Sequence, residues 1–101
     1  MKQTETLVWV IYDIQEDKAR TKVAKACKEA GLYRVQKSVF VGTIQRNRLD
    51  ELSMRTEDLI NLEEDRVYIF PMCGPDFKKA ILQGQAFDQR LVQGEVRNLF
   101  V

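Results

Sequence analysis

The chain of 101 residues is expected to fold as an α+β sandwich, an antiparallel sheet with two helices packed on one of its faces. Two observations predict this. Strand-period and helix-period segments alternate from residue 6 to residue 70, in the order strand, helix, strand, helix, strand, and the 33–42 strand is joined to a neighbouring strand by a short turn. The length also suits one small core, since a single domain usually takes about 100 to 200 residues. Together they give a ferredoxin-like βαββαβ arrangement in a single domain, 1–101, with residues 1–75 as the core and 76–101 as a C-terminal extension.

The first strand, TLVWVIYDI at 6–14, is rich in β-branched and aromatic residues and apolar on both alternating faces. Leu7, Trp9 and Ile11 share the face that ends in Asp13, while Val8, Val10 and Tyr12 share the other. Residues 17–30 follow with Ala19, Val23, Ala26, Cys27 and Ala30 at helical spacing, Asp17 as N-cap and Gly31 as the stop. In YRVQKSVFVG at 33–42, Val35, Val39 and Val41 lie on one face. Arg34, Gln36, Ser38 and Phe40 lie on the other, which makes Phe40 the one aromatic on a polar face. The second helix, 45–61, turns Leu49, Leu52, Thr56, Leu59 and Ile60 inward, and RVYIF at 66–70 forms a strand stopped by Pro71. Beyond it the period is irregular, with a helical turn expected near 76–82 and a short strand in VRNLFV at 96–101.

Two helices cover one face of a four-stranded sheet, yet the first strand is apolar on both. A symmetric second copy is the simplest cover for the other face, and a two-fold axis there would bring two copies of Asp13 together.

Composition narrows the chemistry. There is no histidine, which removes histidine-based triads, imidazole acid–base catalysis and histidine-ligated zinc. What is left is carboxylates, hydroxyls, Lys, Arg or a hard metal on oxygen ligands. Cys27 and Cys73 have neither zinc-knuckle nor disulfide-scaffold spacing and read as ordinary thiols. No apolar run approaches the roughly 18 residues of a membrane span and no secretory leader opens the chain, so a cytoplasmic protein without membrane contact is expected. The formal net charge of +1 conceals segregation: residues 13–48 hold nine Lys/Arg against four Asp/Glu, and residues 49–66 hold two against seven. One end of the fold is therefore suited to phosphate.

The run VIYDI at 10–14, Asp17 and Arg20 at a helix start, Gly31, RVQKSVF at 34–40 and EDRVYIFPM at 64–72 together resemble the small universal CRISPR-associated protein that partners the spacer integrase. The likeness spans about residues 7–72. It implies a ferredoxin-like homodimer whose first-strand aspartates face each other and share a divalent metal, Mg²⁺, a hard ion suited to carboxylate oxygens. It also implies metal-dependent cleavage of RNA or duplex DNA within spacer acquisition, or alternatively a non-catalytic adaptor that bridges integrase subunits on DNA. The last strand, 96–101, would pair with the partner protomer.

Carried over by position, the resemblance makes Asp13 the catalytic and metal-binding residue and assigns Arg20, Lys22 and Arg34 to nucleic-acid binding. Tyr12 and Phe40 become site or dimer contacts. The chain departs from the family where Arg20 is followed by Thr21 and Lys22 instead of a second arginine, which keeps charge but loses the bidentate fork. Val41 stands where a glutamate commonly follows SVF.

Overall fold

The computed structural model describes residues 5–72, together with Pro75 and Lys79. The turn expected near 76–82, apart from Lys79, and the strand expected at 96–101 lie outside the described residues.

The elements run β1 (Glu5–Asp13), α1 (Asp17–Glu29), β2 (Tyr33–Gln36), β3 (Val39–Gln45), α2 (Arg46–Leu59) and β4 (Arg66–Met72). The sheet order is β2-β3-β1-β4 with every pairing antiparallel, which is the ferredoxin-like topology the sequence predicts. β1 is central: Val10 pairs with Phe40 of β3 on one side and Ile69 of β4 on the other.

Both helices cover the face of β1 that carries Val8, Val10 and Tyr12. These residues form one core with Ala19, Val23, Ala26 and Cys27 of α1, Leu52 of α2, and Phe40 and Ile44 of β3. Burial pushes the Cys27 thiol up to about 11, as befits a core residue. On the opposite face no described helix lies over the sheet. Leu7 and Val41 are nevertheless only 1% exposed there, sheltered by Trp9, Val35 and Met72. Around them Tyr33, Tyr68 and Phe70 remain 49%, 47% and 48% exposed, and the last two rings stack at 6.1 Å. So large an apolar, aromatic surface is characteristic of an interface.

Three local expectations are corrected. Asp17 is the first helical residue and Glu16 is the N-cap, so the Asp17 carboxylate acts on the helix dipole from the first turn. β4 continues through Pro71 to Met72, because β4 is an edge strand and an edge tolerates the missing amide. The third concerns Phe40, which is 0% exposed in the helix-covered core, not on a polar face. The segment expected as one strand, 33–42, is instead the β2–β3 hairpin, with Arg34 opposite Phe40 across it. Arg34 and Gln36 are polar because β2 is the outer strand, whereas Phe40 sits one strand further in.

The end of α1 shows how Gly31 acts. Its φ of 90° lets Gly31 N–H reach Lys28 O at 3.0 Å and Leu32 N–H reach Cys27 O at 3.1 Å, a Schellman closure. A Cβ at Gly31 would meet nothing within 4 Å, so the cost of Gly31→Ala is backbone conformation alone. Urea unfolding is expected to register a loss of about 1–2 kcal/mol.

Among the described residues no helix is long and apolar enough to cross a membrane.

Candidate functional site

The site grows from the C-terminal end of β1, where successive side chains point to opposite faces. Tyr12 is buried on the helix side, and Asp13 is exposed on the uncovered side, directly across from Arg66 of β4. Tyr12 fastens this strand end to the β2–β3 turn: its Oη donates to Lys37 O at 3.1 Å and its amide donates to Ser38 O at 3.0 Å. Arg34 grips the same carbonyl, donating from Nε at 3.2 Å and from Nη2 at 2.7 Å, with its guanidinium 5.6 Å above the Phe40 ring. Burial, only partly opposed by Arg34, raises the Tyr12 phenol above its ordinary value. At neutral pH Tyr12 is therefore a protonated donor and cannot serve as a base.

The loop after Asp13 is held from two sides. Arg20 Nη1 donates to Ile14 O at 2.9 Å and to Gln15 O at 3.2 Å, while Nη2 pairs with the Asp17 carboxylate. From the other side Asp65 Oδ1 accepts the Gln15 N–H at 3.0 Å and Oδ2 accepts the Asn61 N–H at 2.9 Å. These two amides hold the Asp65 carboxyl below the usual carboxylate value.

Between α1, the strand end and the β2–β3 turn lies an open groove of about 840 Å³. Arg20, Lys25, Lys28, Arg34 and Lys37 line it, with Asp13 and Asp17 among them. The structure thus gathers Tyr12, Asp13, Arg20 and Arg34 from the expected set. Lys22 is exposed but is not among the lining residues, being a quarter-turn round the helix from Thr21. Phe40 has no exposed ring to offer a base or a second copy. The groove residues missed by sequence reasoning are Lys25, Lys28 and Lys37. The spacing of Thr21, Lys25 and Lys28 on one helical face carried a signal for two of them, whereas Lys37 enters only through the turn.

The donor set bears on metal binding. A hard divalent ion takes about six oxygen ligands and favours carboxylates. Among the described residues no three His, Cys, Asp or Glu side chains group around one point. The described residues offer Asp13 alone at the strand end, so a divalent ion held there would need the Asp13 of a second copy and water to complete its shell.

Comparison with known proteins bears on the fold and the family. A family profile described as "CRISPR associated protein Cas2" matches residues 6–80. The chain is 46% identical over 69 residues to the CRISPR-associated endoribonuclease Cas2 of Desulforudis audaxviator, a match covering 68% of this chain and 65% of that relative. It is 40% identical over 74 residues to the protein of the same name from Korarchaeum cryptofilum, covering 70% of this chain and 76% of that one. The crystal structure of Streptococcus pyogenes Cas2 superposes with a TM-score of 0.66 at 25% identity, over 77% of this chain and 99% of that one.

Proposed function

The chain belongs to the Cas2 family of CRISPR-associated proteins, and on that premise we propose that it is a homodimeric, Mg²⁺-dependent endonuclease acting on phosphodiesters of RNA or DNA. It would work in the cytoplasm, within the spacer-acquisition complex of antiviral defence and alongside the spacer integrase. The observation that carries the reading is the position of Asp13. It is an exposed carboxylate where a basic groove meets an uncovered apolar sheet face.

Each protomer contributes three things. Its uncovered face, built around Trp9, Tyr68 and Phe70, packs against the second copy and brings the two Asp13 carboxylates together. The groove cations neutralise the nucleic-acid backbone without reading bases. The bonds of Tyr12 and Arg34 to Lys37 O keep strand end and turn in fixed relation, so that the carboxylate and the phosphate-binding charges stay in register. Two carboxylates so placed repel unless a cation lies between them, and Asp13 with its copy would hold Mg²⁺. When bound, the ion supplies Lewis-acid polarisation of a phosphate oxygen and a more acidic water.

Incubation of the protein with labelled single-stranded RNA and duplex DNA, in Mg²⁺ or in chelator, tests the reading. Cleavage that disappears with chelator is expected, and intact substrates under all conditions contradict it. The groove also favours a second reading, because its cations bind a backbone whether or not Asp13 acts: a non-catalytic adaptor bridging integrase subunits on DNA.

Both readings share a prediction about charge. Replacing Lys25 and Lys28 by Gln should weaken duplex binding and lower the salt slope of log K by about one for each lysine, measured by fluorescence anisotropy across salt concentrations. Lys22→Gln, outside the groove, should change that slope less.

A further inference from the structure

We propose that Asp65 is a positioning residue for Asp13, an inference that rests on the nuclease reading above. The Asp65 carboxylate is a two-pronged acceptor. One oxygen takes the Gln15 amide and the other takes the Asn61 amide. Its own place is fixed first, because the Asp65 and Glu64 amides both donate to Asn61 O, at 2.8 and 3.1 Å, and Asn61 Oδ1 accepts the Glu63 amide at 2.9 Å. The turn before β4 is therefore a preformed cradle that presents two oxygens to the loop leaving β1.

The grip bears on Asp13 by two routes. Gln15 lies two residues after Asp13, and Arg20 occupies its carbonyl while Asp65 occupies its amide, so both backbone polar groups of that residue are tied down. Arg66, next to Asp65 in the chain, is the cross-strand partner of Asp13. Asp65 thereby closes the β1–β4 ladder at the end where the carboxylate is displayed, fixing the chain beyond Asp13 as well as the residue beside it. A carboxylate that must meet its own copy at a shared seam gains from this, since a displacement of about 1 Å at a reacting group costs on the order of 100-fold in rate.

Asp65→Asn keeps size and shape but leaves one acceptor and turns an NH₂ toward an amide N–H, so one prong must fail. The test combines NMR-detected amide exchange with cleavage and nucleic-acid binding, in wild type, Asp65→Asn and Asp65→Glu. Exchange at Gln15 or Asn61 is expected to rise roughly tenfold or more in Asp65→Asn while the Val10 amide stays protected. The cleavage rate at saturating substrate is expected to fall about 10- to 100-fold with affinity within twofold, and Asp65→Glu, which keeps two acceptor oxygens, should recover part of it. Unchanged exchange at both amides overturns the proposal, and so does released exchange with an unchanged saturating rate. A wild type that cleaves nothing overturns the nuclease reading instead. In that event the decision passes to Mn²⁺ used as a probe: broadening of the Asp13 resonances should weaken in Asp65→Asn, and equal broadening in both proteins overturns the positioning role.

Discussion

Asp13→Asn is expected to abolish Mg²⁺-dependent cleavage while leaving the fold and nucleic-acid capture nearly intact. The side chain is exposed, makes no hydrogen bond or ion pair with another described residue, and lies outside both apolar clusters, so nothing in the core depends on its charge. Asn preserves the volume and one oxygen but removes the negative charge that suits a hard cation. In a homodimer the loss is doubled, because both carboxylates of the seam vanish together. Losing even an outer-shell partner of a metal site costs about 10- to 100-fold, so the rate should fall by at least 100-fold. Affinity for duplex DNA should hold within about twofold, because the groove cations remain. Single-turnover cleavage and anisotropy, measured on the same preparations, check both halves. Equal cleavage by variant and wild type would indicate a contaminating nuclease and remove the enzymatic reading.

The largest effect on stability is expected from Phe40→Ala. Phe40 is fully buried, pairs with Val10 across β1 and β3, lies 6.4 Å from the Tyr12 ring and carries the Arg34 guanidinium above its face. Truncating a buried Phe costs about 3–5 kcal/mol, and domains of this size are stable by only about 5–15 kcal/mol. Urea unfolding should therefore show a sharply lower midpoint with an unchanged slope. This separates a core residue from an interface residue. Had Phe40 faced a second copy, the variant would dissociate while each protomer stayed folded. A loss below about 1 kcal/mol would contradict the packing described.

Much of the fold was legible because its signals are local. The two-sided apolarity of β1, the spacing of Ala19, Val23, Ala26 and Cys27, and the left-handed stop at Gly31 are each readable without knowing what packs where. Asp13 was legible for the same reason: strand alternation alone put it on the face opposite Tyr12. The misreadings came from tertiary context. Arg34 and Phe40 share a face, but only the sheet order says that one stands on the outer strand and the other under a helix. A proline ends a central strand but not an edge strand such as β4, which runs through Pro71, and edge status belongs to the whole sheet. At the site, the family resemblance put Lys22 forward and passed over Lys25, and only the groove shows which side of α1 faces the strand end. Arg20 is partly spent on the carbonyls of Ile14 and Gln15, a use that depends on a loop shape no spacing encodes.

The central claim is that self-association across the uncovered face brings the two Asp13 side chains together. Cross-linking of an Asp13→Cys variant by a short bismaleimide, in a Cys73→Ser background, measures this directly, since buried Cys27 is shielded from the reagent. Near-complete conversion to a covalent dimer is predicted, with no cross-link from an Met54→Cys control on the exposed side of α2. Recovery of the Asp13→Cys protein as unlinked monomer, under conditions where both thiols are fully modified, would contradict it.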